Sequence, residues 1–595
     1  MRWIVENAFK PRYTFWTRAN VSEVLPEPPS PLGWDVVWEG AAVAGWRDLF
    51  VQRLGMPDAE LDPFRAEMIG IFGGYAYLGA SLFRVWAGRT PGMTPTTIDE
   101  VYFGDHPDVP PYVAEDWHAN ARTSEVMGEW LAWATTDVTQ AELQADRDES
   151  LRIRAQRPDY RELSDAALLG YIVSLRPLYR RMFHQHINQS IGASIGPGIL
   201  AQVCTAIGEP HWAMRLMSGL GGVDSAAPAY AMWRMSRMVC ASSALTEIFD
   251  GGSAGLYDRL RGSSEADAGA FVEEFDIFIG EFGSRGANEW DLIARVWELE
   301  PDTALAAIDR MRFADDDASP IAENAARERE RGELAEKVRT ALAGDAESLG
   351  AFEVGLSSAA TFNRGRERSK TAIIRVIHEG RMAACELGRR LAERGAIDDP
   401  TDIFMLFLDE LEEVVAGNLV DVKDLVPPRR EHRRYLASLE PPFIINGEAP
   451  PIVGWPAKGS RTVSGVAVGD TIAGVPGCPG RARGRARIVL TPTSASALEP
   501  GDVLVAPGTD PSWTPLFVPA SAVVVDVGAA LSHAVIVSRE LGIPCVPSAV
   551  DATRRIPDGA SGPFAVVPQY GRSNTRSSTR HAHTQRRHPL PLTAL

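Results

Sequence analysis

Apolar residues recur at helical spacing over most of the chain, then give way to short β-branched runs near its end. In DAALLGYIVSLRPLYRRMFHQHI (165–187), Leu168, Ile172, Leu175 and Leu178 share one helical face. SKTAIIRVIHEGRMAACELGRRLAERG (369–395) predicts a long amphipathic helix. Arg389, Arg390 and Arg394 gather near its C-terminal end, where cations suit the helix dipole, and Gly395 lies beyond them. DIFMLFLDELEEVVAG (402–417) predicts another helix that stops at Gly417, and the charge-rich 313–337 reads as a solvated loop and helix face.

Residues 441–460 hold five Pro and three Gly in twenty positions. Helices and central strands reject that density, so an extended, semi-stiff linker is expected over 441–472. Beyond it, RARGRARIVL (481–490), GDVLVAPG (501–508) and SAVVVDVG (521–528) predict strands, and HAVIVSRELGI (533–543) predicts a helix ending at Gly542. The expected fold is a large, mainly α-helical domain (1–440), the linker, and a small α/β domain (473–568). Residues 569–595 carry Arg572, Arg576, Arg580, Arg586, Arg587 and three His with no acid, and read as a disordered tail.

Composition narrows the function. The 595 residues carry a net charge of −18, which opposes broad nucleic-acid binding or docking on an anionic membrane. No run approaches the ~20 apolar residues of a membrane span. The start lacks a signal layout, so a cytoplasmic location is expected. Five scattered cysteines exclude a disulfide framework and a standard zinc site, and no metal is expected.

The chemical signal is VVVDVGAALSHAVIVSRELGIPC (523–545). An apolar strand runs to Asp526, the small turn Gly528-Ala529-Ala530 follows, and Ser532 stands as N-cap to a helix opening with His533. Free amides and the positive dipole end suit an anion there, and they disfavour imidazolium. A neutral imidazole beside an anion site is a competent nucleophile toward phosphorus. The alternative is a helix-start histidine capped by its neighbours.

The stretch GAALSHAVIVSRELGIPC resembles the phosphohistidine signature of the PEP-utilising enzyme family, which includes PEP synthase, pyruvate phosphate dikinase, rifampicin phosphotransferase and phenylphosphate synthase. The resemblance implies a swivelling β/β/α domain with His533 as phosphoryl carrier and Ser532 beside it. Two departures are Ala529 for a glycine and Pro547-Ser548 for Val-Gly. GTDPSWTPLF (508–517) resembles the preceding loop of the rifampicin and phenylphosphate members, placing Thr509 near the phosphoryl group. A weaker resemblance to their acceptor region runs through 16–34, FIGEFGSRGANEWDL (278–292), with Ser284 where a His is common, NRGRERSK (363–370), Arg381 and 398–406. It implies Arg285, Arg366, Lys370 and Arg381 as phosphate-stabilising cations and Glu289 or Glu367 as orienting group or base; an Arg–Glu network between packed helices is the alternative.

His184 and His186 fall on different helix faces, so one is expected to face the acceptor hydroxyl as base. Nine of the fifteen Trp lie in the first 133 residues and suggest either an aromatic acceptor pocket or core. No Walker loop or ATP-grasp segment is visible, and about 60 residues follow His533 where a PEP-binding barrel needs ~250. The expectation is a chain that itself holds no cofactor. It would receive phosphate from ATP and Mg²⁺ on a separate ATP-grasp subunit and pass it to a small aromatic hydroxyl compound, a phenol or cresol. A rifamycin-like antibiotic acceptor and a phosphocarrier without small-molecule turnover are the alternatives.

Overall fold

The computed structural model describes residues 2–566 except 62–66, 104–105, 107, 137–138, 420–421, 468–469, 493–497 and 530–531. The 569–595 tail therefore lies outside the described residues, as does Ala530 of the turn before His533. A large helical region precedes a small α/β domain.

The helical region contains a sheet that the hydrophobic pattern did not predict. Strands β1 (Phe15–Thr17), β2 (Ile69–Phe72), β3 (Tyr75–Leu78) and β4 (Ile444–Asn446) pair antiparallel in the order β2-β3-β1-β4. Gly73 and Gly74 join β2 to β3 with φ of +57° and +76°, the two-residue turn that matches strand twist and that only glycine takes freely. Strand β4 comes from the Pro-rich stretch read as linker. Being an edge strand it tolerates flanking prolines, and Trp455, just after it, packs on Tyr75 with ring centroids 6.2 Å apart. The first half of the expected linker is thus bound to the helical region. Exposed chain without helix or strand begins near 461.

The helices that position the site are α1 (Val21–Val24), α2 (Arg176–Gly192), α3 (Ile195–Ala206), α4 (Ala227–Ala241), α5 (Ala266–Phe282), α6 (Pro301–Met311), α7 (Pro320–Ala341) and α8 (Ala346–Glu393). The stretch read as one helix over 165–187 is two, divided at Leu175, because Pro177 opens α2 and cannot continue the preceding helix. The helix expected from 402 begins as a 3₁₀ turn, Pro400–Met405, and becomes α-helical only at Leu408. Helix α8 runs 48 residues, roughly 70 Å at 1.5 Å per residue. It is buried along its middle, from Asn363 to Leu391, because α2, α3 and other helices pack on both sides of it.

In the C-terminal domain β5 (Gly480–Ile488), β6 (Val503–Ala506), β7 (Ala522–Val525) and β8 (Cys545–Val546) pair parallel, and β9 (Ser561–Val566) pairs antiparallel with β5. Helix α9 (His533–Leu541) lies between β7 and β8 and stops at Gly542, φ +68°. The order β8-β7-β6-β5-β9 puts the buried parallel strands at the centre, matching their continuous Val/Ala runs.

The two regions share one apolar core. Trp233 of α4, Phe278 and Phe282 of α5, and Ile308 of α6 join Leu504, Trp513, Phe517, Val535 and Leu541 in a single buried cluster. The charge-rich 313–337 is not wholly solvated either, since Asn324 on α7 donates to the Glu540 carboxylate at 2.9 Å. Among the described residues no helix is long and apolar enough to cross a membrane.

Candidate active site

His533 opens α9 and is 4% exposed. Its ring is held from both sides: Thr509 Oγ1 lies 3.1 Å from Nδ1 and Thr514 Oγ1 3.1 Å from Nε2. Each hydroxyl both donates and accepts, so the pair serves either neutral tautomer. Phe517 meets the ring edge-on at 5.9 Å. Burial pushes the imidazole well below its ordinary value, and Lys370, Arg285 and Arg366 push it further down. Neutrality therefore comes first from desolvation and from cations of the helical region, rather than from the helix dipole expected from the sequence.

Ser532 is the N-cap residue, but among the described residues its buried Oγ makes no capping bond and has no hydrogen-bond partner. The cap is supplied across the domain boundary, where the His533 backbone N–H donates to Glu23 Oε2 at 3.3 Å. Ser548, at the position where the signature has glycine, adopts φ +54° and its Oγ donates to the Gly528 carbonyl. That bond ties the turn before α9 and offsets the steric cost of a left-handed non-glycine residue.

The sequence-derived charged residues fall into two groups. Arg285 Nε lies 3.4 Å from Glu289 Oε2, Lys370 Nζ lies 3.9 Å from Glu289 Oε1, and Arg366 pairs with Glu367. Of these, the cations Lys370, Arg285 and Arg366 lie close enough to act on the His533 ring, and Lys370 and Arg366 share a cavity wall with it. Burial would raise the Glu367 carboxyl, but Arg366, Lys370 and Arg285 outweigh it and hold it below the usual range. Burial lowers Lys370 despite Glu289 and Glu367 beside it. Arg381 belongs elsewhere: its guanidinium donates to the carbonyls of Glu289 (2.7 Å), Asp291 (3.0 Å) and Leu292 (3.2 Å). It fixes the loop that presents Glu289, and it is not among the cations that act on the His533 ring.

A cavity of about 660 Å³ opens from this cluster into the helical region. His533, Thr509, Arg366, Lys370, His186 and Glu23 share its wall with Trp38, Trp46, Phe83, Trp86, Tyr102 and Trp290. Three of the nine early Trp therefore line a pocket, and others, such as Trp34 and Trp130, are core. His186 is buried, with Nδ1 3.0 Å from Ser369 Oγ, and burial with Arg366 nearby lowers it to about 3. His184 is half-buried on another face, near Asp48 and Arg53, and does not line the cavity.

Three residues escaped the sequence analysis. Thr514 and Asp510 lie in the quoted 508–517 loop, where their side-chain directions depend on the turn; Asp510, raised by burial to about 6, faces Glu289 and Lys370. Glu23 lies in the quoted 16–34 stretch, and only tertiary docking brings it to His533. Among the described residues no three His, Cys, Asp or Glu side chains gather as a metal cage.

Residues 498–562 match the family described as PEP-utilising enzyme, mobile domain. The chain carries that mobile domain. Residues 185–367, which include His186, Arg285, Glu289, Arg366 and Glu367, match the fourth domain of rifampicin phosphotransferase. Rifampicin phosphotransferase of Streptomyces sviceus is 31% identical over 290 residues, covering 48% of this chain and 32% of that protein. The Bacillus subtilis protein of the same name is 33% identical over 198 residues, covering 33% and 22%. An uncharacterized protein of Mycobacterium tuberculosis is 41% identical over 211 residues, covering 34% and 23%. The matched region thus spans a third or less of the length of these relatives. The mobile domain here is seated with its histidine against the matched helical segment.

Proposed function

We propose that this chain is the acceptor-side component of a phosphotransferase. His533 carries a phosphoryl group and passes it to a hydroxyl of an apolar, aromatic compound bound in the 660 Å³ cavity. The observation that carries this reading is the placement of a neutral, doubly hydrogen-bonded His533 in the cavity wall, facing Arg366 and Lys370.

Ring nitrogen attacks phosphorus as a neutral imidazole. The phosphoryl oxygens then meet Arg366, Lys370 and Arg285, which stabilise charge as the P–N bond breaks. The acceptor, held by the aromatic walls, presents its oxygen in line with that bond. The apolar cavity excludes water that would otherwise take the group. ATP with Mg²⁺ on an ATP-grasp unit is the donor in this reading.

Cavity size bears on the acceptor. Pockets of ~300–1,000 Å³ take drug-sized ligands, so 660 Å³ favours a multi-ring hydroxyl compound. A single-ring phenol or cresol, the acceptor expected from sequence, fits the same chemistry and leaves most of the volume empty.

The test is direct. The chain is incubated with an ATP-grasp partner, Mg²⁺ and ATP, and separately with phosphoramidate, and examined by intact mass. An acid-labile adduct absent from His533→Ala is expected. It should disappear as rifampicin, 1-naphthol or p-cresol gains phosphate. An adduct of equal size on His533→Ala overturns the assignment.

A further inference from the structure

The phosphoryl-transfer step needs a group to take the acceptor's proton, and the sequence-derived candidates serve poorly. His186 is held neutral by burial and sits at about 3, which makes it a weak base. Glu289 and Glu367 are committed to Arg285, Lys370 and Arg366 and do not line the cavity. His184 faces away.

Glu23 differs in each respect. It lies on α1 and lines the cavity beside His533, Arg366 and Lys370. Among the described residues no salt bridge within 4 Å engages its carboxylate, and Oε2 accepts the His533 backbone N–H at 3.3 Å. That contact ties its carboxylate to the backbone of His533, and both residues line the same cavity.

We propose, resting on the phosphohistidine reading above, that Glu23 is the general base that accepts the proton of the acceptor hydroxyl. The P–N bond of phosphorylated His533 breaks and its electron pair returns to the ring nitrogen. The acceptor oxygen forms the new P–O bond, and its proton moves to a Glu23 carboxylate oxygen. No other reactant is consumed.

The electrostatics support the role. Burial raises the Glu23 carboxyl to about 7; the His533 N–H, Arg366 and Lys370 oppose that rise and Glu367 adds to it. A base titrating near neutrality combines ionisation with proton affinity, and general bases contribute typically about 10²–10⁴-fold. The folded value lies above the ordinary carboxylate range, so the active, ionised form is gained as pH rises through about 7.

The full chain is phosphorylated with phosphoramidate, the adduct is verified by intact mass, and its discharge to 1-naphthol, p-cresol and rifampicin is followed in single turnovers from pH 5.5 to 8.5. Discharge to water is read in the same way. The expected wild-type rate rises to a plateau with a midpoint near 7. Glu23→Gln should keep the adduct, lose about 10²-fold or more in discharge, and lose the pH dependence, with Glu23→Asp restoring part of both. A structural role alone leaves the pH limb in place. Glu23→Gln discharging at the wild-type rate with the wild-type limb overturns the proposal. A wild-type chain that takes no adduct sinks the phosphohistidine reading itself, and the proposal with it.

Discussion

Glu540 of the mobile domain accepts the backbone N–H of Gly221 in the helical region at 3.0 Å. Its other oxygen accepts Leu220 N–H at 3.0 Å, and Asn324 adds a third donor. Arg364 donates to the carbonyls of the same two loop residues. Burial raises Glu540 above its ordinary value, and the three hydrogen bonds oppose that rise. The carboxylate therefore ties α9 to this loop and to α7. Glu540→Gln loses a charged acceptor facing two amides. Hydrogen bonds to charged groups contribute about 1.5–3 kcal/mol, so the ratio of seated to open forms should fall roughly 10- to 150-fold. Faster hydrogen exchange of Leu220 and Gly221, with His533 still able to take a phosphoryl group, is the expected outcome.

Phosphoryl acceptance from phosphoramidate by His533 in the seated arrangement should not depend on pH between 6.5 and 8. The imidazole is held well below its ordinary value, so it is already neutral throughout that window. A ¹⁵N titration of the ring should show no protonation above pH 6. An alkaline-rising limb in the loading step that follows His533 protonation would contradict the geometry.

Lys370 and Arg381 should separate function from folding. Lys370 faces His533 from the cavity wall. Lys370→Met should slow transfer about 10²–10³-fold, the usual loss of one preorganised charge-stabilising donor, with little change in Tm. It should also raise the pKa of His533, because a cation that depresses it is gone. Arg381→Met strands three buried carbonyls, costing about 3 kcal/mol or more, and should lower Tm and shift the 289–292 loop. Thermal melts with single-turnover rates distinguish the two.

Gly198 on α3 lines the cavity, and a Cβ placed there meets nothing within 4 Å. Gly198→Phe should fill part of the volume without disturbing the fold. Turnover of a multi-ring acceptor should drop tenfold or more while p-cresol is kept. Equal effects on large and small probes would remove the cavity from acceptor selection.

Sequence legibility followed the range of the interactions. The mobile domain was readable because strand, small-residue turn, cap and helix are contiguous from Val523 to Cys545. The β2–β3 hairpin carried a readable Gly73-Gly74 signal, but its runs of four apolar residues are too short to separate strand from helix. Arg366, Glu367 and Lys370 stand together on α8, so helical spacing already placed them near one another. Arg381 lies eleven residues beyond Lys370, on the same face direction, yet loop 289–292 intervenes and claims its guanidinium. Glu23 carried no local signal at all: 510 residues separate it from the amide it caps. The Pro-rich 441–460 misled because edge strands obey looser rules than central ones.

The apolar core that runs through Trp233, Phe278, Trp513 and Phe517 sets terms for any swivelling. A carrier domain that swung free would bring Trp513 and Phe517 into water. Each large aromatic so exposed costs about 1.5–3 kcal/mol. Two kinds of journey avoid that. In one, the loading station offers an equally greasy berth, so the domain trades one oily face for another. In the other, the 227–314 helices travel as passengers, and the moving body is nearly twice the size of the domain that bears His533.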